Sequence, residues 1–382
     1  MTSKLLLSVA FALSGAAVAM AQQTPANLQA PQDPRYAEVI AKCKTPPPAA
    51  AAPAGGARAG GGVAPGAAAG QGRVAAPGAA AQGRGQGRGE GRGAAAPAGP
   101  AEYTVTAIPG VVAAGQRWTL VHETTGNNAD GILAAPGGGL LLAQNDNGTV
   151  LALDGRNQAS VAYRDTNTGG ALSMSSSGAL FVASRGLNVA IVQLAPERRV
   201  FANRIDGDPL DCLGGVLNDI SADSRGGVYF TMGGVFYADP KGVVTRYGEN
   251  LRTNGVLLSL DEKTLYVTNG QTVAAFDVRP DGSLTNQREF AKLPAGGGDG
   301  LAIDSAGRLY VTAGGGGGGA PGLHVFAADG AFLGTIAAPR NFITAAFAGP
   351  DKKTLYAVAN DRRIVEVYSI PMIAQGPRNR AK

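Results

Sequence analysis

Gly298-Asp299-Gly300-Leu301-Ala302-Ile303-Asp304-Ser305-Ala306-Gly307-Arg308-Leu309-Tyr310-Val311-Thr312 holds two short apolar strands separated by a polar turn. Asp, Ser and Gly are the residues that close tight turns, so the stretch reads as a β-hairpin. The same text recurs. Asp130-Gly-Ile-Leu precedes a Leu-Leu-Leu strand, Gly169-Gly-Ala-Leu precedes Ala-Leu-Phe-Val, and Asn218-Asp-Ile precedes Val-Tyr-Phe-Thr. Asn254-Gly-Val-Leu leads to Leu-Tyr-Val-Thr, and a sixth copy runs from Thr344 to Leu-Tyr356-Ala-Val. Copies starting at 130, 169, 218, 254, 299 and 344 are 36 to 49 residues apart. Four short strands repeated at that period are the mark of a β-propeller, here all-β with six blades. A β-sandwich accommodates the strands but leaves the six in-phase copies unexplained.

Outward from the repeats, Tyr103-Thr-Val-Thr and Trp118-Thr-Leu-Val are expected to complete the last blade and close the ring, giving a propeller over 102–370 and a basic tail over 371–382. Gly and Pro make up 58 and 23 of the 382 residues, and no helical periodicity appears. Residues 1–21 read as a secretory signal: Lys4, an apolar core over Leu5–Val18, then Ala19-Met20-Ala21. That run is too short for a confident membrane anchor, so export to a periplasm or the exterior is expected, with no transmembrane segment in the mature chain. Residues 22–101 are assigned to a disordered N-terminal segment. Its 45–100 portion is Ala, Gly, Pro and Gln with scattered Arg, too poor in apolar surface to offset its ordering entropy.

The formal charge of +5 belongs to these ends. Residues 101–382 carry 24 positive and 25 negative side chains, a net of −1, which removes the charge argument for nucleic-acid binding. Two cysteines, Cys43 and Cys212, exclude a disulfide-dense scaffold, a four-Cys zinc site and a CxxC redox motif. An oxidising compartment permits the two to pair, and the sequence leaves that open. With two histidines and no G-x-S-x-G elbow, a His-ligated metal and a Ser-His-Asp hydrolase are poorly supported.

In a propeller the residue that starts each innermost strand faces the central channel. Asp130, Gly169, Asn218, Asn254, Asp299 and Thr344 are therefore expected to ring one mouth. Two carboxylates and two carboxamides suit a hard divalent cation, Ca²⁺ first and Zn²⁺ or Mn²⁺ as alternatives. Asx residues also start strands as ordinary turn formers, the competing reading for each one alone.

At Leu217-Asn218-Asp219-Ile220, Thr253-Asn254-Gly255, Gly298-Asp299-Gly300-Leu301-Ala302-Ile303-Asp304 and Gly322-Leu-His-Val-Phe, the chain resembles the gluconolactonase family, which includes senescence marker protein (regucalcin) and luciferin-regenerating enzyme. The resemblance runs from about 102 to 370. It implies a six-bladed propeller with one divalent metal in the channel mouth and hydrolysis of sugar lactones or related esters. The family's blade-one Glu falls on Asp130, its metal-binding Asn on Asn254, its metal-binding and catalytic Asp on Asp299, and a metal- or substrate-contacting Asn on Asn218. Three departures follow: Asp130 is one methylene shorter than Glu, Val216 stands where some members place a substrate-binding Arg, and the blade-three covering loop shrinks to Met232-Gly233-Gly234.

Rim loops hold Asn145, Asn147, Arg185, Asn188, Asn269, the run Gly314–Gly319 and Asn360. Arg185 and Asn188 are taken as substrate contacts, with solvated hairpin tips as the competing reading, and the Gly run as a mobile rim. The expected function is metal-assisted hydrolysis of a small-molecule lactone or ester with Asp299 as general base or water-orienting residue. Its rival is a non-catalytic ligand- or protein-binding propeller with a structural metal. Oligomeric state has no signal in the sequence.

Overall fold

The repeats fold into six antiparallel four-stranded sheets arranged in chain order in a computed structural model, which describes residues 28–45, 47, 102–315, 320–361 and 364–378. From the channel outward, blade 1 is Ile132–Ala134, Leu140–Gln144, Thr149–Leu153 and Ala159–Tyr163. Blades 2 to 5 start at Gly169–Met174, Ile220–Ala222, Thr253–Leu258 and Gly297–Ile303. Blade 6 starts at Phe342–Ala348 and takes its fourth strand from the other end of the chain. Second strands such as Leu140–Gln144, Leu180–Ser184 and Val228–Thr231 are buried at every position, so they read as continuous apolar runs rather than alternations. The outermost strand Ala159–Tyr163 is largely exposed. Apolar side chains fill the space between neighbouring blades, as Val235, Tyr237, Val256 and Val267 do between blades 3 and 4.

The closing strand is Thr119–Thr125, paired antiparallel with Ile364–Pro371. Tyr103–Thr106, expected as part of that closure, belongs to no sheet. Tyr103 instead accepts a hydrogen bond from the Trp118 amide at 2.8 Å, and the Trp118 indole donates to the Ala337 carbonyl at 2.9 Å. Val105, Ile108, Val111 and Val112 are buried with this pair against blades 5 and 6. At the other end, residues 372–376 are no free tail. Met372 and Gly376 donate to the carbonyls of Lys353 and Lys352 at 2.8 Å each, and Ile373 to that of Val111 at 2.9 Å.

The N-terminal segment departs most from expectation. Residues 28–45 form an ordered strap with a 3-10 turn at Ala30–Gln32 and a short helix at Tyr36–Ile40. Cys43 and Cys212 are disulfide-bonded, with Cα atoms 5.8 Å apart. Ala30 and Tyr36 pack among Phe181, Leu187, Leu210 and Leu213. Tyr36, Val39 and Cys43 precede the Ala/Gly/Pro stretch, and averaging over 22–101 hid them. The signal at 1–21, residues 46 and 48–101 of the linker, and 379–382 of the tail lie outside the described residues. Among the described residues, no helix is long and apolar enough to cross a membrane.

Candidate functional site at the channel mouth

Strand register fixes which residues face the channel. Leu142, Val182, Phe230, Val267, Val311 and Ala357 pair with Ile132, Leu172, Ile220, Val256, Leu301 and Ala345. Two residues before each innermost partner, the ring is Asp130, Gly170, Asn218, Asn254, Asp299 and Ile343. Gly169 and Thr344, the expected blade-2 and blade-6 members, are each one residue off. The strand register is irregular after Gly169 and after Phe342, and at blade 6 both Ile343 and Thr344 line the mouth. Asp130, Asn218, Asn254 and Asp299 do converge, around a cavity of about 10 Å³ also lined by Arg185, Asp219 and Thr344. That is the space of one water-sized body.

Local chemistry holds the ring tight. Gly131, Gly255 and Gly300 follow ring residues, and a Cβ on any of them would press into the backbone of the next blade. Each Asx-Gly pair is therefore a side chain lining the mouth followed by a residue that lets blades meet. The threonine ending the Tyr-Val-Thr strands is the second device. Thr231 donates to the Asn254 carbonyl, Thr268 to that of Asp299 at 3.0 Å and Thr312 to that of Ile343 at 2.8 Å. Every such hydroxyl moors the next blade's ring residue.

Blade 2 has Ala183 at the threonine position, and Arg185 takes over its task. Its Nε donates to the Leu217 carbonyl at 2.7 Å and its Nη2 to that of Asn218. Nη1 forms an ion pair with Asp130 Oδ2. The guanidinium lies against Gly170, where any Cβ would overlap it. Far from a solvated hairpin tip, the Arg185 side chain is 2% exposed. Asn188 is the hairpin tip: it is exposed, outside the cavity lining, and its backbone amide donates to Asp211 at 3.0 Å. Asn145 and Asn360 reach Asp130 from the rim, at 3.1 and 3.5 Å. Asn147 turns to Gln144, and Asn269 caps the Arg252 amide. Within the Gly run, residues 316–319 lie outside the described residues.

Burial first, then the charges of Asp130 and Asp219, push the Asp299 carboxyl well above the usual carboxylate range. Arg185 and a hydrogen bond from Asn254 act in the opposite direction. Asp219 itself is structural, accepting the Ile220 amide on Oδ1 and, across to blade 4, the Val256 amide on Oδ2. Among the described residues no cluster of three His, Cys, Asp or Glu side chains is poised around one point. The mouth still fits a hard cation. It offers all-oxygen donors from Asn218, Asn254 and the half-buried carboxyl of Asp299, and a Thr344 hydroxyl buried without a hydrogen-bond partner.

Sequence reading missed Asp219, the threonine moorings and the depth of Arg185. The recurring Thr after Leu-Tyr-Val was a visible signal for the moorings.

The comparisons agree with this geometry. The family model described as the SMP-30/Gluconolactonase/LRE-like region matches residues 129–360. A lactonase drp35 from Staphylococcus saprophyticus is 38% identical over 114 residues, 25% of this chain and 35% of that protein. A gluconolactonase from Zymomonas mobilis is 28% identical over 208 residues, 46% of this chain and 55% of its own. The chain thus spans only a third to about half of these curated relatives. A solved gluconolactonase from Xanthomonas campestris aligns with TM-score 0.60 at 22% identity, over 74% of this chain and 99% of its own. A solved calcium-binding regucalcin from Agrobacterium tumefaciens aligns with TM-score 0.55 at 16% identity, over 68% and 94%. At these identities the structures establish the shared fold.

Proposed function

Because the chain belongs to the SMP-30/gluconolactonase/LRE-like family, we propose that it hydrolyses a small-molecule lactone or related ester at the channel mouth, with Asp299 as general base. One observation carries this: a carboxyl held well above the usual carboxylate range faces a cavity the size of one water, beside amide groups and a fixed guanidinium. In the proposed reaction Asp299 takes a proton from water as the water oxygen bonds to the lactone carbonyl carbon. The ring C–O bond then breaks, and the departing oxygen recovers the proton as a hydroxyl. Asn254 orients Asp299 through its hydrogen bond, and Asn218 is placed to meet the substrate's polar groups.

Asp130, Asn218, Asn254 and Asp299 are the proposed holders of one divalent cation, Ca²⁺ first by donor type and Zn²⁺ or Mn²⁺ next. When bound, such an ion supplies Lewis-acid polarisation of the carbonyl. Export to a periplasm or the exterior belongs to the same reading, supported by the Lys4 and Leu5–Val18 pattern and by the Cys43–Cys212 disulfide.

The test is pH-stat hydrolysis across aldonolactones, small γ- and δ-lactones, aryl esters and an organophosphate, with chelator-stripped protein restored by Ca²⁺, Zn²⁺ or Mn²⁺. Turnover of a lactone, lost on stripping and regained with one ion, is expected. No turnover on any substrate, with metal still raising the melting temperature, would move the assignment to a binding propeller.

A further inference from the structure

The blade-2 ring position is empty of side chain, yet the ring is not open there. Gly170 contributes only backbone, and the Arg185 guanidinium lies in the space its Cβ would take. Three contacts hold the guanidinium and a fourth holds the Arg185 backbone. Leu217 and Asn218 accept from it through their carbonyls, Asp130 pairs with it, and the Ala30 amide of the N-terminal strap donates to the Arg185 carbonyl at 2.8 Å. Asp130 is the residue that a shared divalent ion would need, and its Oδ2 is engaged by Arg185 and by Asn145.

We infer that Arg185 is a built-in cation filling the vacant blade-2 position, and that it competes with a divalent ion for Asp130 and so weakens metal binding at the mouth. The inference rests on the proposed cation site and deepens it. Three carboxyl groups, those of Asp130, Asp219 and Asp299, face one guanidinium in the lining. Taking away the guanidinium removes that positive charge and frees an Asp130 oxygen, and both changes favour a divalent ion. A purely mooring role for Arg185 predicts the reverse, because losing its bonds to Leu217 and Asn218 would loosen the ring.

The test is Mn²⁺ binding to the full-length protein, followed by calorimetry and by the Mn²⁺ paramagnetic resonance signal. Wild type is compared with Arg185→Gln and with Gly170→Ala, thermal melting confirming that each is folded. Gly170 has no left-handed backbone angle, so its backbone accepts alanine, whose Cβ takes the space of the Arg185 guanidinium and displaces it. Both variants are expected to bind Mn²⁺ at least about tenfold more tightly, a difference of ~1.4 kcal/mol. Adding Asp130→Asn to Arg185→Gln is expected to abolish the gain. Wild-type binding that is unchanged or weakened in both single variants overturns the competition and leaves the cation site standing. No binding in any of the proteins overturns the cation site as well, and the lactone panel then judges hydrolysis on its own.

Discussion

Thr268 shows how a single hydroxyl governs the site from outside it. Fully buried, it accepts the Gly255 amide at 2.6 Å and donates to the Asp299 carbonyl, joining two ring positions. Thr268→Val keeps the shape but leaves buried polar groups without partners, at a cost of about 1–3 kcal/mol. Melting temperature should fall accordingly and kcat by about tenfold with KM little changed, since the substrate is not touched. An unaltered kcat would show that the mooring does not position Asp299. Asp299 has the opposite relation to stability. Its raised pKa means the folded, metal-free protein holds the proton to higher pH than the unfolded chain does. The folded state therefore bears no burden below the unfolded value of about 3.9, and loses stability as pH rises from there toward the folded pKa. Metal-free Asp299→Asn should match wild type at low pH and melt about 2–6 °C higher at neutral pH, a rise on the scale of ordinary single-site stabilisations. A lower melting temperature at neutral pH would contradict a net cost of ionising Asp299 in the folded protein.

At the scale of elements, the strap is where composition misled. A window dominated by Ala, Gly and Pro conceals Ala30, Tyr36 and Cys43, whose apolar contacts and covalent bond attach 28–45 to blades 2 and 3. A bond across 169 residues of chain restricts the unfolded state strongly. Cys43→Ser with Cys212→Ser is expected to cost about 2–5 kcal/mol, seen as a melting temperature lower by about 4–10 °C. An unchanged melting temperature would mean that the strap contributes nothing to the fold. The ring elements were far more legible. Asp130, Asn218, Asn254 and Asp299 were readable because an acidic or amide side chain recurs two residues before a buried strand core. The burial of Arg185 was not legible, because it depends on Gly170 and Ala183, two small residues of its own blade, leaving room for the guanidinium. Gly169 lies one residue off the ring and Thr344 shares its blade's place with Ile343, because register irregularities leave no trace in the spacing of polar residues.

At the scale of the molecule, six repeats made the architecture readable before any contact was known, and the turn chemistry of each hairpin agreed with it. The aspartates that fill those turns, such as Asp304 accepting the Ala306 and Arg308 amides at 2.9 and 3.0 Å, are structural and account for much of the acidic content. Closure by Thr119–Thr125 makes the ring depend on residues far from its last blade. A chain beginning at residue 126 exposes the buried strand Ile364–Pro371, and is expected to lose cooperative unfolding. A sharp wild-type transition in that truncation would refute closure by this strand. The proposed hydrolysis turns on Asp299 at the channel mouth. The most direct measurement is kcat for the best lactone with wild type and Asp299→Asn, each shown folded by its melting curve. A loss of at least about a thousandfold is expected in a variant that melts no lower than wild type, on the scale of losing a general base together with its hold on water. A folded Asp299→Asn protein within tenfold of wild-type turnover would contradict it.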